Sequence, residues 1–309
     1  MSEAARPETT GAGPMSPPVP ALQRSAGDWR SLKSQILTAG AWVVALLACV
    51  PLFSVLYMLI IRGGTRLSWE VLVSLPPSAF ETGGGFGNAI VGTVVMVGIA
   101  GLVSVPAGIL LAIYLAELGP RTRIATVARF CVKTLTGLPS ILAGVFAYAA
   151  VVLVTGSYSA PAGGAALALL MLPTVVLAAE EALKMVPRAM REAAYGIGCT
   201  DAQVIARVVL PTALPAIITG VMLAVARAAG ETAPLLFSAL FSDYWIVNQG
   251  RLELMEPTAS LAVLIYNYSG MPFENQIELA WAASLVLVLM VLAVNLTSRA
   301  LGARYRRIK

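Results

Sequence analysis

Six stretches of this chain are each long enough and apolar enough to cross a lipid bilayer, which limits the possible folds more than any other feature of the sequence. They lie at about 36–61, 89–116, 134–155, 163–183, 213–240 and 279–301. The first, taken as a helix, would reach about 39 Å, enough to span with tilt, and Pro51 is placed to kink it. The composition agrees: 58% of the residues are hydrophobic and 12% are charged, against about 25% charged in a soluble domain. Mean hydropathy is +0.81. The expected fold is all-α, a polytopic membrane protein with six transmembrane helices. Small residues recur inside the runs, among them Gly98, Gly101, Gly108 and Gly144, as close helix packing in lipid favours.

Residues 1–34 are polar and carry Pro7, Pro14, Pro17, Pro18 and Pro20, so this part reads as a disordered cytoplasmic tail ahead of a transmembrane domain at 35–309. The first apolar run begins only at about Ile36, too late for the core of a cleavable signal peptide. No period of 20–50 residues suggests a repeat array. Lys and Arg set the orientation. With the N-terminus inside, 17 of the 21 Lys and Arg fall on the cytoplasmic side. They cluster before the first span, at Arg121, Arg123, Arg129 and Lys133, at Lys184, Arg188, Arg191 and Arg207, and in the C-terminal tail. Arg62, Arg66 and Arg251 fall outside, and the last outer loop, about 241–278, is acidic. Both termini are therefore expected in the cytoplasm.

The net charge of +5 follows from those cytoplasmic loops, so no nucleic-acid partner is needed to explain it. The chain has no histidine, and its three cysteines, Cys49, Cys131 and Cys199, are far apart, so no metal site is expected. No G-x-x-x-x-G-K-[ST] occurs, which excludes a P-loop in this chain. Neither a nucleophile elbow nor H-E-x-x-H is present. The chain is expected to be non-catalytic and to hold no cofactor.

Two stretches carry chemistry. The cytoplasmic connection at about 184–212 has Pro187 to start a helix, Gly198 to end it, and Thr200 or Asp201 to cap a second one. This predicts helix, glycine corner, helix, and a proline re-entering the membrane. Inside the fifth run lies Arg227-Ala-Ala-Gly-Glu231-Thr232. An arginine within a span costs about 2.5–3.5 kcal/mol on insertion scales. Arg227 and Glu231, four apart, share a helix face and can pair. Two readings stay open: a structural ion pair, or a site on a translocation path where Arg227 meets an anion and Glu231 positions it.

Glu192, Ala193, Ala194, Gly198, Val208, Leu210 and Pro211 together fit E-A-A-x3-G-x9-[IV]-x-L-P. This resembles the coupling loop of the membrane subunits of bacterial ABC importers, with valine at 208 where isoleucine is common. The resemblance implies the type I importer permease fold, and docking of the loop into a separate ATPase that binds ATP and Mg. In that reading Ala193 and Ala194 allow close approach to the ATPase, and Glu192 bonds to it. The strings Leu172-Pro173-Thr174, Glu180-Glu181-Ala182-Leu183, Arg191 to Gly196 and Arg227 to Phe237 look like the phosphate permeases of the Pst importers, A-type, as does Gly87-Asn88-Ala89-Ile90-Val91-Gly92-Thr93. The similarity runs from about residue 85 to the end. It implies a bacterial inner-membrane assembly that moves inorganic phosphate. Its partners would be a sister permease, two ATPase subunits and an extracytoplasmic phosphate-binding protein, all set in membrane lipid. Arg227, Glu231 and Thr232 are then the substrate-path residues, and the acidic outer loop is a docking face or a solvated loop. Another small oxyanion or solute is the alternative cargo. A proton-coupled carrier would need inverted repeats, which the sequence lacks, and would leave the loop spacing unexplained.

Overall fold

The computed structural model describes residues 29–248 and 250–307. Most of the tail expected at 1–34 lies outside the described residues, but from Trp29 the chain is already helical. Helix α1 (Trp29–Met58) continues through a π-turn at Leu59–Gly63. Besides two three-residue helical extensions at Gly64–Arg66 and Leu153–Thr155, the described helices that follow are α2 (Trp69–Val73), α3 (Gly87–Ile113), α4 (Arg123–Thr136), α5 (Ser140–Ala147), α6 (Ala160–Lys184), α7 (Arg188–Gly196), α8 (Asp201–Val204), α9 (Leu210–Ala229), α10 (Ala233–Leu236), α11 (Leu261–Ser269) and α12 (Glu274–Arg307). Further π-turns extend α3 through Tyr114–Leu118, extend α5 through Tyr148–Val152, and join α8 to α9 at Ile205–Val209. One antiparallel ribbon pairs Val247 with Leu252.

Two compact units emerge, one up to Val55 and one from Leu56 onward. In the first, every described side chain from Leu32 to Val55 is exposed, an apolar rod by itself. The second is built around α6. In the most apolar stretch of that helix 67% of the residues are buried, against 22% for α3, α9 and α12. Its apolar core joins Met96 of α3 to Leu167, Met171 and Val175 of α6 and Ile217 of α9. A second cluster, with Phe86, Leu261, Leu264 and Leu279, ties the N-terminal end of α3 to α11 and α12.

Local sequence explains most element ends. Ser68, Thr122, Ser159 and Ser260 each precede a helix and accept a hydrogen bond from an N–H of its first turn. The π-turn at Ile205–Val209 comes just before Pro211. Proline has no N–H to give, and its ring crowds the carbonyl four residues back, so the wider turn relieves both problems.

Two of the expected spans differ from single straight helices. The run expected at 134–155 is a bent pair, Arg123–Thr136 and Ser140–Thr155, at 105°. Pro139 disfavours helical geometry at Leu138, which breaks the chain there. The fifth run was expected to reach 240, yet α9 ends at Ala229 and only the short α10 follows. Gly230, and Pro234 a turn beyond it, are the cause.

The small residues divide by position. A Cβ on Gly108 would meet Val175, one on Gly144 would meet Pro234, and one on Gly92 would lie 2.0 Å from the Ala259 carbonyl oxygen. Gly98 and Gly101 face open space instead, contrary to the packing role expected of them. Gly92→Ala should therefore lower the thermal midpoint of the purified protein, by about 1–3 kcal/mol of overpacking. Gly98→Ala should leave it unchanged or raise it, because alanine is the better helix former by about 1 kcal/mol. Equal midpoints for the two variants would show that the Gly92 approach is not tight.

Candidate functional site

The predicted corner at 184–212 is present in detail. Pro187 caps α7, and Gly198 takes φ +86°, the left-handed region that favours glycine. The Gly198 N–H donates to Tyr195 O at 2.9 Å, and the Cys199 N–H to Ala194 O at 3.2 Å. These two bonds satisfy orphan carbonyls at the end of α7. Thr200 then opens α8 with a reciprocal cap. Its Oγ1 accepts from Gln203 N at 3.4 Å, while its own N–H donates to Gln203 Oε1 at 3.0 Å. Across the corner the Tyr195 hydroxyl donates to Asp201 Oδ1 at 2.9 Å. That bond, with the carboxylate charge behind it, raises the Tyr195 pKa above the usual phenol value.

The motif residues divide between two faces. Glu192, Ala193 and Gly198 are exposed. Met185 and Ile197 add apolar surface, at 71% and 83% exposure. Ala194 points the other way, into one cluster with Leu183, Val186, Val204 and Val209. Its small side chain lets α7 sit close on this chain's own core, which corrects the expectation that it faces a partner. Val208, Leu210 and Pro211 are half-buried where the chain re-enters the helical bundle.

Arg227 occupies the last turn of α9, where the helix dipole favours a cation. Its Nε contacts Glu231 Oε1 at 3.3 Å, with the arginine side chain 51% exposed and the glutamate 17%. The Gly230 and Glu231 N–H groups fold back onto the Arg227 and Ala228 carbonyls. This turn brings Glu231 under the guanidinium although the helix has ended. Among the described residues the two Nη groups of Arg227 carry no protein partner. Thr232 is half-buried beside the turn, and its side chain caps no helix.

Residues 104–307 match the model of the family described as "Binding-protein-dependent transport system inner membrane component". The chain belongs to this family. It is 36% identical to the phosphate transport system permease protein PstA of Yersinia pestis over 282 residues, covering 91% of this chain and 94% of that one. With PstA of Haemophilus influenzae it shares 38% over 273 residues, covering 88% and 94%. With PstA 1 of Mycobacterium tuberculosis (H37Rv) it shares 36% over 289 residues, covering 90% and 91%. Among solved structures it resembles a chain of a bacterial alginate ABC transporter at TM-score 0.62, with 15% identity, covering 89% of this chain and 97% of that one. It also resembles a chain of the MetNI methionine ABC transporter at TM-score 0.54, with 19% identity, covering 72% and 94%. At such identities these likenesses concern the fold, which is that of an ABC importer permease.

Two ion-paired groups of this permease, one around a buried carboxylate and one half-buried, escape a reading of the sequence. Glu180, 3% exposed, accepts from Arg129 Nε at 2.7 Å and from Lys184 Nζ at 2.6 Å through one oxygen. Arg129 also donates to the Pro120 and Leu115 carbonyls. Arg191 Nη2 pairs with Glu117 Oε1 at 2.7 Å. The Glu180–Lys184 spacing of four is a visible signal, but the other partners come from distant segments that only the fold brings together.

The loop after α10 is structured by Asn88, whose Nδ2 donates to Ser242 O at 2.7 Å and Tyr244 O at 3.2 Å. The loop walls a cavity of about 560 Å³ with Asp243, Tyr244, Trp245, Glu253 and Glu256 in its lining. Partial burial pushes the Asp243 pKa up.

Removing one member of a buried ion pair strands the other charge, at a cost of about 3–5 kcal/mol. Glu180→Ala should lower the thermal midpoint of the purified permease and the yield of folded protein. Lys184→Ala, which removes a half-exposed partner, should change both little. Equal behaviour of the two variants would show that the buried carboxylate does not hold α4 to α6.

Proposed function

We propose that this chain is a channel-forming subunit of an ATP-driven importer of inorganic phosphate in the bacterial inner membrane, with both termini cytoplasmic. The relatives named as phosphate transport permeases, aligned over most of the chain, favour that cargo. The observation that carries the chemistry is the free end of the Arg227 guanidinium. Glu231 engages Nε only, so the Nη groups remain available to bond an oxyanion. Glu231 thereby fixes the arginine's orientation without neutralising its whole fork, and Thr232 adds a hydroxyl nearby.

The rest of the assembly follows from this reading. A sister permease completes the channel, and an extracytoplasmic binding protein delivers phosphate to the outer face. Two ATPase subunits bind ATP and Mg on the cytoplasmic side. The exposed face of α7, with Glu192, Ala193 and Ile197, docks into the ATPase, and the left-handed corner at Gly198 holds that face in place. The chain itself performs no hydrolysis.

Cells lacking this gene and other high-affinity phosphate systems should lose uptake of labelled phosphate at micromolar concentration. In cells carrying it, cold arsenate should compete and molybdate and sulfate should not. Competition by molybdate or sulfate instead would move the cargo to another oxyanion. Arg227→Ala should abolish uptake while the complex still assembles, whereas normal uptake would leave the Arg227–Glu231 pair purely structural. Gly198→Val, forced into a left-handed backbone, should release the ATPase on purification. Full retention with normal transport would remove the loop from coupling.

A further inference from the structure

The α7 knob is joined by the chain itself to two membrane helices. Residues 185–187 lead back to α6, and α8 with its π-turn leads on to α9. Any displacement of α7 reaches those two helices through covalent bonds. Helix α3 packs against α6 at Met96, Ile99 and Gly108, yet Glu117, in the π-turn that ends it, lies 74 positions before Arg191 and has no such route. Among the described residues the polar link from α7 to that end is the side chain of Arg191, beside the apolar packing of Ile113 and Ala116 on the cluster that holds Ala194. Arg191 Nη2 donates to Glu117 Oε1 at 2.7 Å and to Leu183 O at 2.9 Å, and Nη1 donates to Val186 O at 2.7 Å. One guanidinium thus joins α7 to the Leu183 carbonyl in the last turn of α6, to the Val186 carbonyl just beyond it, and to the end of the second span.

The placement favours transmission. Arg191 and Glu117 are 18% and 13% exposed, so water screens the pair little and it resists separation. Glu117 sits within the π-turn Tyr114–Leu118. The same turn is gripped from the other side by Arg129, which donates to Leu115 O and pairs with Glu180. Helices α4, α6 and α7 therefore all take hold of five residues at the end of α3. A π-turn has one residue more per turn than the helix around it, and is a place where a helix changes register or bends. The junction also has room for improvement, since the Arg191 Nε N–H is buried without an acceptor. An orphaned donor of this kind lowers the cost of moving to another arrangement in which it is satisfied.

We propose that the Glu117–Arg191 ion pair carries the movement of the α7 coupling helix into the second membrane helix, and so sets how much phosphate is moved for each ATP hydrolysed. This rests on the reading of about 184–212 as the ATPase-coupling loop. Arg191 and Glu117 act here as positioning residues, in contact with neither phosphate nor nucleotide. The exposed docking face is made by other side chains, so loss of the pair leaves ATPase binding intact while weakening its coupling to transport.

The test uses the complete complex, with ATPase and binding protein, reconstituted in vesicles. Glu117→Ala should retain the ATPase on purification and keep hydrolysing ATP, while phosphate moved per ATP falls at least about 5-fold, the low end of coupling between linked sites. Glu117→Gln, which still accepts a hydrogen bond from Arg191, should fall between Glu117→Ala and the wild type. A wild-type ratio in Glu117→Ala overturns the inference and leaves the coupling-loop reading standing. Loss of the ATPase from Glu117→Ala also overturns it, because the pair would then shape the docking knob. Failure of the wild-type chain to hold its ATPase overturns both. A second readout does not depend on transport. Spin labels on Met190→Cys, which lies on α7 outside the named docking residues, and on Leu118→Cys, in a background without the native cysteines, should keep a constant separation when ATP binds. With Glu117→Ala added they should change separation on ATP binding. A separation that changes already in the wild-type background overturns the inference.

Discussion

A carboxylate that has left water must be matched by cations or it unfolds its surroundings, and Glu180 is that carboxylate here. It lies near the C-terminal end of α6, the helix around which the second unit is packed, and one of its oxygens takes both Arg129 and Lys184. Lys184 is local, a turn away on the same helix. Arg129 is not, and the need to reach Glu180 draws α4 in against α6. Once there, the same guanidinium finishes the Leu115 and Pro120 carbonyls at the end of the second span. A single desolvated charge therefore organises three helix ends at the level where the loop at 184–212 begins. Higher in the bundle no charges are needed. There α3, α6 and α9 approach through Gly108, Gly164 and Gly220, each with a side chain of the neighbouring helix where its Cβ would be.

Much of this was legible in the residues. Apolar runs of sufficient length gave the spans, because a backbone in hydrocarbon has few ways to satisfy its own polar groups. The corner at Gly198 was legible because a helix end, a left-handed glycine and a capping threonine are each local events within a few residues. The break at Gly137-Leu138-Pro139 and the end of α9 at Gly230 had the same local signals, but hydropathy runs straight through both, so apolar length alone merged separate helices. Ala194 marks a different limit. Its type suggests close approach, yet nothing in the motif says whether the approach is to a partner or to the chain's own core, and the structure places it inward. The pairs Arg129–Glu180 and Glu117–Arg191 were invisible for a plainer reason: their members are 51 and 74 positions apart, and only the packed bundle puts them in reach.

The two candidate sites stand at opposite ends of one element. The loop corner precedes Asp201, and Arg227 lies in the last turn of α9, with helical backbone all the way between them. This continuity gives the proposed docking corner and the proposed anion site one shared helical backbone. The break at Gly230 matters as much, since it frees the chain to turn Glu231 back under Arg227 rather than carry it onward.

The run from Asp201 to Ala229 is 29 residues long, about 43 Å at helical rise. A rod of that length is a lever. With its foot in the corner after Gly198, a tilt of about 10° swings the Arg227 end through about 7 Å, more than one helical turn. Rotations too small to disturb the packing at the foot become displacements at the tip as large as the anion Arg227 would hold. The gain comes from length alone, so it requires no strained intermediate in the bundle, and every residue added to or removed from the rod would alter it.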